Sequence, residues 1–390
     1  MKSPLTTSLL KQTPINKKAI PYMTVNKSNF AYMKKIFILM LILSLVACSS
    51  SDSDTPTPTP IPVPDDFIRA VDVSFLPLIE SEGTIYKHNG AAQNALTTLK
   101  NAGCNTVRIR LWKNPIDAVS SLPEVKALAV RARQAGLKVW VTVHYSDTWA
   151  DPGAQTTPAE WQSLSFTDLK TAVANYTSTI LTEIQPDIFQ IGNETNDGLL
   201  WPQGKLSTNE AQSLQLFQVA SAKIRSQSPS TKIMLHYAGT SGSDWFFNKV
   251  SSINYDYIGL SYYPIYHGKN LTTVQNTMNS LGSTHNKKVI IAETSYPFTL
   301  GYNDFTNNVV GLNNQLIPEY PASNEGQKAF VVAIKNLVKQ SSHGIGFCYW
   351  GGEWVAFRGP TSSNGSSWEN QALWDFNNNS LPVMDAFSPN

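Results

Sequence analysis

The 390-residue sequence lacks the features that mark several large classes of protein. It has three cysteines, without the spacing of a zinc site, and its net charge of +2 argues against a broad basic surface for nucleic acid. Its N-terminal apolar run of about a dozen residues is too short to cross a bilayer. No Gly-x-Gly-x-x-Gly segment follows the first strand-like run, which disfavours a dinucleotide-binding fold.

The N-terminal region has the pattern of an exported lipoprotein. Residues 33–48 join two lysines, the apolar run and a small-residue exit, which is typical of a secretory signal. The exit, LVAC, resembles the lipobox of bacterial lipoproteins and implies lipidation of Cys48. We interpret residues 1–32 as an over-long start or a disordered leader, and residues 49–66, rich in Ser, Thr, Pro and Asp, as an extended linker. The predicted location is the cell envelope, on the outer-membrane surface of a Gram-negative bacterium.

Residues 67–390 are predicted to form a single catalytic domain of the α/β class. Eight strand-like apolar runs alternate with helical patterns, which is the signature of a (β/α)8 TIM barrel. The runs cover residues 68–74, 106–111, 139–144, 188–192, 232–236, 257–261, 289–293 and 345–350. Capping boxes that begin at Ser121 and Ser207 predict the starts of two helices. A doubly wound open sheet is the structural alternative.

Two of the strand-like runs end in a glutamate. Residues 187–194, DIFQIGNE, end at Glu194, and residues 288–293, KVIIAE, end at Glu293. Because catalytic residues of parallel barrels lie at the C-terminal ends of the strands, both carboxylates are predicted to face one site. Such a pair suits acetal hydrolysis, in which one group protonates the leaving oxygen and the other acts on the anomeric carbon. Their separation would decide between retention and inversion.

Other strand ends supply polar and aromatic side chains that would surround the two glutamates. They are Asp72, Arg108, Arg110, His144, Asp147, Asn193, His236, Tyr263, Trp350 and Trp354. Of these, Arg110 is interpreted as the cation that favours the ionised form of a nearby carboxylate. A metal-dependent barrel hydrolase is disfavoured, because the first strand lacks paired histidines.

Six segments resemble those of glycoside hydrolase family 53, the endo-β-1,4-galactanases. They are 144–153 (HYSDTWADPG), 190–194 (QIGNE), 198–202 (GLLWP), 261–264 (SYYP), 293–297 (ETSYP) and 349–354 (YWGGEW). An Asn-Glu pair alone is shared by a whole clan of retaining barrels, whereas the ten-residue first segment together with the QIGNE segment is specific. The resemblance covers residues 68–387, which is the whole predicted domain.

The resemblance implies retaining endo-hydrolysis of β-1,4-galactan in the side chains of pectin, with release of galacto-oligosaccharides. It implies that Glu194 is the proton donor and base, that Glu293 is the nucleophile, and that Asn193 binds the sugar 2-hydroxyl. It adds Asp151 and Trp201 to the predicted substrate contacts. The full predicted set is Arg110, His144, Asp147, Asp151, Asn193, Trp201, His236, Tyr263, Trp350 and Trp354.

Some bacterial members of this family carry a structural calcium between the loop after strand 7 and the C-terminal loop. The resemblance therefore implies Ca²⁺ here, since hard oxygen ligands suit this ion. The implied ligands are Asp304, Thr306, Asn308, Ser366 and Glu369, of which Thr306 differs from the family pattern. No organic cofactor is predicted, and the protein is expected to be a monomer.

Two other functions stay open at this point. A related retaining barrel could act on another β-linked glycan, and a surface glycan-binding lipoprotein could have lost catalysis. The presence of both glutamates counts against the second alternative. A purely structural lipoprotein leaves the alignment of polar strand ends unexplained.

Overall fold

The computed structural model describes residues 66–389. The predicted leader, the signal with its lipidated Cys48, and residues 49–65 of the predicted linker lie outside the described residues. Within residues 66–389, no helix is both long enough and apolar enough to span a membrane.

Eight parallel strands form a closed barrel, which confirms the predicted fold. The strands are β1 (Ile68–Asp72), β2 (Thr106–Leu111), β3 (Lys138–Val143), β4 (Ile188–Ile191), β5 (Lys232–Ala238), β6 (Tyr257–Ser261), β7 (Lys288–Thr294) and β8 (Gly344–Tyr349). Each strand pairs with the next along the chain, and β8 closes the barrel by pairing with β1, where Arg69 lies opposite Phe347. This closure excludes the open sheet.

Helices connect the strands on the outside of the barrel. They are α1 (Leu76–Ser81), α2 (Ala95–Ala102), α3 (Leu122–Gln134), α4 (Phe166–Glu183), α5 (Glu210–Gln227), α6 (Ser243–Lys249), α7 (Pro264–His267), α8 (Leu271–His285) and α9 (Asn324–Gln340). The two predicted capping boxes are wrong in detail. Ser121 precedes α3 without a side-chain capping bond. Helix α5 begins at Glu210, and Ser207 lies in the preceding loop, where its hydroxyl donates to Asp197 Oδ2 (2.8 Å).

The inward-facing positions of the strands change from apolar to polar towards the C-terminal end of the barrel. Alternate residues of a strand face the same side. Thus Met234 is followed inward by His236, and Ile188 by Gln190. The inward-facing positions nearer the N-terminal ends of the strands form an apolar plug made of Ile68, Ala70, Trp140, Ile188, Met234, Ile290, Ala292 and Cys348. The polar layer therefore rests on a dry floor, where charges interact more strongly than in water.

Candidate active site

A sharp turn after β4 brings Glu194 to the mouth of the barrel. Gly192 and Glu194 have φ values of +76° and +45°, both in the left-handed region. A Cβ atom at position 192 would lie 2.3 Å from Cγ2 of Thr195, so only glycine fits there. Two bonds to β5 hold the strained turn: the Glu194 amide donates to His236 Nδ1 (3.2 Å), and the Thr195 amide donates to the His236 carbonyl (2.9 Å).

The two predicted carboxylates meet across the barrel. One carboxylate oxygen of Glu194 and one of Glu293 lie within 4.8 Å of each other. Retaining glycosidases keep their two carboxyl groups about 5–5.5 Å apart, whereas inverting enzymes need about 6.5–9.5 Å to admit a water. The short separation is that of a retaining pair.

Glu293 receives a donor on each of its oxygens. Arg108 Nη2 forms an ion pair with Oε1 (2.7 Å), and the Tyr263 hydroxyl donates to Oε2 (2.9 Å). Asp72 holds the other end of the guanidinium, with Oδ2 2.8 Å from Nη1, because β1 and β2 pair in a register that sets Asp72 beside Arg108. Burial would lower the pKa of Arg108, but Glu293 and Asp72 raise it above its ordinary value, so the cation persists.

The pKa values of both glutamates are raised, but Glu293 is the one that forms an ion pair with Arg108. Burial raises the pKa of Glu293, while the adjacent Arg108 opposes that rise. Burial and the negative charge of Glu293 raise the pKa of Glu194 to about 8. Glu194 has one direct side-chain donor among the described residues, the Ser261 hydroxyl, 2.5 Å from Oε1. Because Arg108 contacts Glu293 directly, this arrangement favours the protonated form of Glu194 and the ionised form of Glu293.

Six of the ten predicted substrate contacts line the cleft above this pair. They are Arg110, His144, Asp151, Asn193, Tyr263 and Trp350. His144 is buried, and its Nδ1 accepts a bond from the Ala150 amide (3.0 Å). Exposed Asp151 bends its own loop, since Oδ1 accepts from the amide of Gly153 (2.7 Å). The cleft thus combines aromatic walls with a polar floor.

Four predicted contacts do not line this cleft. Both Asp147 oxygens accept backbone bonds from the loops at Asn114 and Ala159. Trp201 donates its indole N–H to the Asp197 carbonyl (2.9 Å).

The other two residues contact the site from outside the cleft lining. Trp354 stacks on Phe75 at a ring-centre distance of 4.1 Å. His236 is completely buried behind Glu194, where no sugar can reach it.

Arg110 lines the cleft but does not pair with either glutamate. Its guanidinium carbon lies 4.4, 4.5 and 4.1 Å from the ring centres of Phe75, Trp112 and Trp149. Within residues 66–389, no hydrogen bond or ion pair joins it to Glu194 or Glu293; its Nε donates to the Ser120 hydroxyl (3.0 Å). Arg108 therefore takes the electrostatic role predicted for Arg110.

The structure adds cleft residues that the sequence reasoning left without a role. They are Asp72, Arg108, Trp149, Tyr266, His267 and Trp368. Two of them carried a signal in the sequence. Arg108 is on the same inward face of β2 as Arg110, and Trp149 lies inside residues 144–153, the most specific segment. Trp368 comes from the C-terminal loop, and no local pattern marks it as a neighbour of Trp350, 4.7 Å away between ring centres.

A second polar cluster lies in the loops that follow β7 and β8. Asp304 Oδ2, Asn308 Oδ1 and Glu369 Oε2 are buried oxygens without a hydrogen-bond partner among the described residues. A Cβ atom at Gly365 would lie 2.2 Å from Asp304 Oδ2, so glycine keeps this space open. Three oxygen acceptors without donors suit a hard cation.

The other two predicted calcium ligands have engaged hydroxyls. The Thr306 hydroxyl accepts a bond from the Gly365 amide (2.8 Å), and the Ser366 hydroxyl donates to the Trp354 carbonyl (2.6 Å). Burial raises the pKa of Glu369, and the charge of Asp304 adds to the rise. The side-chain oxygens of the cluster that are free to bind a cation are therefore those of Asp304, Asn308 and Glu369.

Comparison with known protein sequences gives matches over nearly the whole barrel. The family model described as Glycosyl hydrolase family 53 matches residues 68–387. An arabinogalactan endo-beta-1,4-galactanase of Cellvibrio japonicus is 34% identical over 338 residues, which cover 82% of this chain and 89% of that protein. An endo-beta-1,4-galactanase of Bacillus subtilis is 32% identical over 375 residues, covering 83% and 85%.

Solved structures agree with the sequence matches. The GH53 catalytic domain of Ignisphaera aggregans superposes with a TM-score of 0.79 at 34% identity, covering 83% of this chain and 96% of that domain. One of two fungal beta-1,4-galactanases superposes with a TM-score of 0.72 at 33% identity, covering 82% and 98%.

Proposed function

Because the chain belongs to glycosyl hydrolase family 53, we propose that it is a retaining endo-β-1,4-galactanase that releases galacto-oligosaccharides from the (arabino)galactan side chains of pectin. The observation that carries this function is the close pair of glutamates, of which Glu293 alone is paired with a cation. The galactanases that resemble this chain make galactan the favoured β-linked glycan. The presence of both glutamates disfavours a binding protein without catalysis.

In the first step, Glu293 and Glu194 act on opposite sides of the glycosidic bond. A carboxylate oxygen of Glu293 forms a bond to the anomeric carbon while the bond from that carbon to the leaving oxygen breaks. Glu194 gives its proton to the leaving oxygen, and the shortened chain departs. Glu194 is left as a carboxylate, and the sugar is joined to Glu293 as an ester.

In the second step, water replaces the leaving sugar. Glu194 takes a proton from the water as its oxygen bonds to the anomeric carbon, and the ester bond to Glu293 breaks. Both glutamates return to their starting forms, and two inversions give net retention. The high pKa of Glu194 suits it to both tasks, since it is protonated before the first step and loses its proton during it.

Asn193 is arranged to recognise the sugar at the reacting position. Its Oδ1 accepts from Arg108 Nη2 (2.8 Å), and its Nδ2 donates to the Ala150 carbonyl (2.9 Å). These bonds fix the amide orientation and leave a second N–H on Nδ2 for the sugar 2-hydroxyl. A bond there strengthens in the transition state. The indole faces of Trp149 and Trp350 supply apolar walls for neighbouring sugars.

The proposed substrate is tested by a panel of glycans. We expect the purified protein to release short oligosaccharides from β-1,4-galactan and none from β-glucan, xylan or mannan, with products separated by chromatography. NMR of the first-formed reducing ends should show the β-anomer, because the mechanism retains configuration. Cleavage of another glycan in place of galactan would discard the substrate, and an α-anomer would discard the mechanism.

A structural Ca²⁺ is part of the proposal. The buried oxygens of Asp304, Asn308 and Glu369 fit such an ion, which would join the loop after β7 to the C-terminal loop. The ion would offset the repulsion between the Asp304 and Glu369 carboxylates. It takes no part in either chemical step.

Removal of calcium is expected to destabilise the protein. A ligand present at about 100 times its Kd adds about 2.7 kcal/mol to the free energy of unfolding, so chelation should lower the melting temperature by about 5 °C. Differential scanning fluorimetry with EDTA, followed by Ca²⁺ or Mg²⁺, measures the shift. Asp304→Asn should lose the response to Ca²⁺, whereas Glu319→Gln, at an exposed position, should keep it. Metal analysis without stoichiometric calcium, together with an unchanged melting temperature, would refute the site.

Export and anchoring complete the proposal. The signal would be cleaved directly before Cys48, and Cys48 would become the lipidated first residue, so that the linker holds the monomeric barrel at the outer-membrane surface. Mass spectrometry of the mature N-terminal peptide distinguishes a lipidated Cys48 from an ordinary cleaved signal.

A further inference from the structure

We infer that a closed ring of hydrogen bonds runs from the Glu194 amide through His236 and Ser261 back to the Glu194 carboxyl, and that it confines the catalytic proton to Oε2. His236 and Ser261 are positioning residues in this ring, since neither lines the cleft. The inference rests on the proposed role of Glu194 as acid and base. It assigns functions to a buried histidine and a buried serine that the mechanism above does not use.

The first part of the ring fixes the tautomer of His236. Its Nδ1 lies 3.2 Å from the Glu194 amide nitrogen, which can only donate. It also lies 3.0 Å from Gln190 Nε2. The orientation of the Gln190 side-chain amide is fixed, because its Oε1 accepts from Arg108 Nε (3.3 Å) and Trp140 Nε1 (3.1 Å), which are both donors. Nδ1 therefore faces two N–H groups and must accept.

The second part of the ring fixes the direction of the Ser261 hydroxyl. Since Nδ1 of neutral His236 accepts, Nε2 carries the proton and donates to Ser261 Oγ (3.0 Å). Ser261 is completely buried, and within residues 66–389 its hydroxyl has one other partner, Glu194 Oε1 at 2.5 Å. The serine proton therefore points at Oε1. A proton on Oε1 would leave the serine hydrogen buried without an acceptor.

The ring has two consequences for the reaction. The proton that Glu194 transfers sits on Oε2, the oxygen outside the ring. His236 stays neutral through both steps, because a proton on Nδ1 would face the Glu194 and Gln190 N–H groups. Burial and the nearby charge of Arg108 also lower the pKa of His236 well below its ordinary value, and His267 acts in the same direction.

Ser261 tunes the acid by stabilising its ionised form. The other charged or titratable groups that act on Glu194 are Glu293, Arg108 and Asp151, with Tyr263 and Tyr266 facing it from the segment after β6. Ser261 differs from these groups because it donates a hydrogen bond directly to the Glu194 carboxyl, and this bond lowers the pKa of Glu194. Without it, Glu194 would hold its proton to higher pH.

The first experiment observes the ring without using activity. In protein labelled with ¹⁵N-histidine, the His236 imidazole should keep the neutral Nε2–H tautomer from pH 5 to pH 8. His236→Gln should remove that signal and so assign it. A His236 imidazole that titrates in this range, or that carries its proton on Nδ1, would refute the proposed ring of hydrogen bonds.

The second experiment measures the pH dependence of kcat/KM on galactan. Ser261→Ala should move the alkaline limb upward by about one pH unit, the size that one hydrogen bond to a charged group supports. KM should change little, because Ser261 lines no part of the cleft. Ser261→Thr restores the hydroxyl and should return the limb towards its original position. Ser221→Ala, which removes another buried and bonded hydroxyl, should leave the limb in place.

The outcomes separate this inference from the proposed function. A folded Ser261→Ala protein with an unmoved alkaline limb would overturn the tuning role while galactan hydrolysis stands. A correct His236 tautomer in a protein that cleaves no galactan would refute the proposed function and leave the ring intact.

Discussion

Replacing Glu293 by glutamine is expected to lower kcat on galactan by about 10⁴-fold or more, because the amide cannot attack the anomeric carbon. The side chain keeps its size and can still accept a bond from Arg108, so the fold should survive. No covalent glycosyl adduct should form with an activated 2-fluoro galactoside. The measurement is release of reducing sugar, beside mass spectrometry of the protein after incubation with that reagent.

Glu194→Gln should fail in a different way, and the difference identifies the two roles. On galactan the loss should be about 10²–10⁴-fold, the usual contribution of a general acid. An aryl galactoside with a good leaving group needs no acid, so the first step should persist and the glycosyl enzyme should accumulate. Added azide, which needs no general base, should release it as a β-galactosyl azide.

A matched control separates these effects from general damage. Glu160→Gln changes an exposed carboxylate outside the cleft and should keep galactan activity. Identical behaviour of Glu194→Gln and Glu293→Gln with the aryl substrate would refute the assignment of roles. Azide rescue of Glu293→Gln as a β-galactosyl azide, without such rescue of Glu194→Gln, would show that the roles are exchanged.

The barrel and its two glutamates could be predicted from sequence because their signals are local. Short apolar runs alternate with helical patterns, and each glutamate stands at the end of such a run. Strand ends of a parallel barrel meet at one face, so local position was enough to bring Glu194 and Glu293 together. One oxygen of each lies within 4.8 Å of the other, in agreement with that expectation.

The partners of these glutamates could not be predicted because they depend on register and on distant loops. Arg108 and Arg110 face inward from the same strand, and only the pairing of β1 with β2 shows that Asp72 lies beside Arg108. His236 stood at a strand end like a substrate contact, yet the turn at Glu194 covers it. Trp368 reaches the cleft from a loop whose path no periodic pattern specifies.

The same limit applied to helix starts. A serine followed three residues later by a glutamate predicts a cap at Ser207, but Asp197 holds Ser207 in the preceding loop by accepting bonds from its amide and its hydroxyl. Local propensity was overridden by a tertiary contact. The ring around Glu194 is a stronger case, because its members come from three strand ends.

Arg108→Met should have a large effect although it leaves both glutamates in place. It removes the cation that bridges Asp72 and Glu293 and leaves two buried carboxylates without a counter-ion. Breaking a buried ion pair from one side costs about 3–5 kcal/mol of unfolding free energy. Urea titration should show that loss, whereas Arg131→Met, at a partly exposed pair with Glu80, should lose about 0–1 kcal/mol.

The same substitution should shift the acid limb of the pH profile. Arg108 lowers the pKa of Glu293 against the effect of burial, so its removal raises that pKa. The nucleophile must be ionised, and activity should therefore begin to fall at a higher pH as the solution is acidified. Arg108→Lys should retain part of the effect, because one ammonium replaces a guanidinium that contacts Asp72, Glu293 and Asn193 together.

Adding Asp72→Asn to Arg108→Met separates stability from catalysis. The double variant buries one uncompensated carboxylate in place of two, so part of the lost unfolding free energy should return. Glu293 still lacks its cation, so the shifted acid limb and most of the loss in kcat/KM should remain. If activity returned together with stability, Arg108 would be a structural residue and the ionised state of Glu293 would depend on other groups. If neither Arg108→Met nor Arg108→Lys moved the acid limb, the proposed electrostatic difference between Glu194 and Glu293 would be wrong.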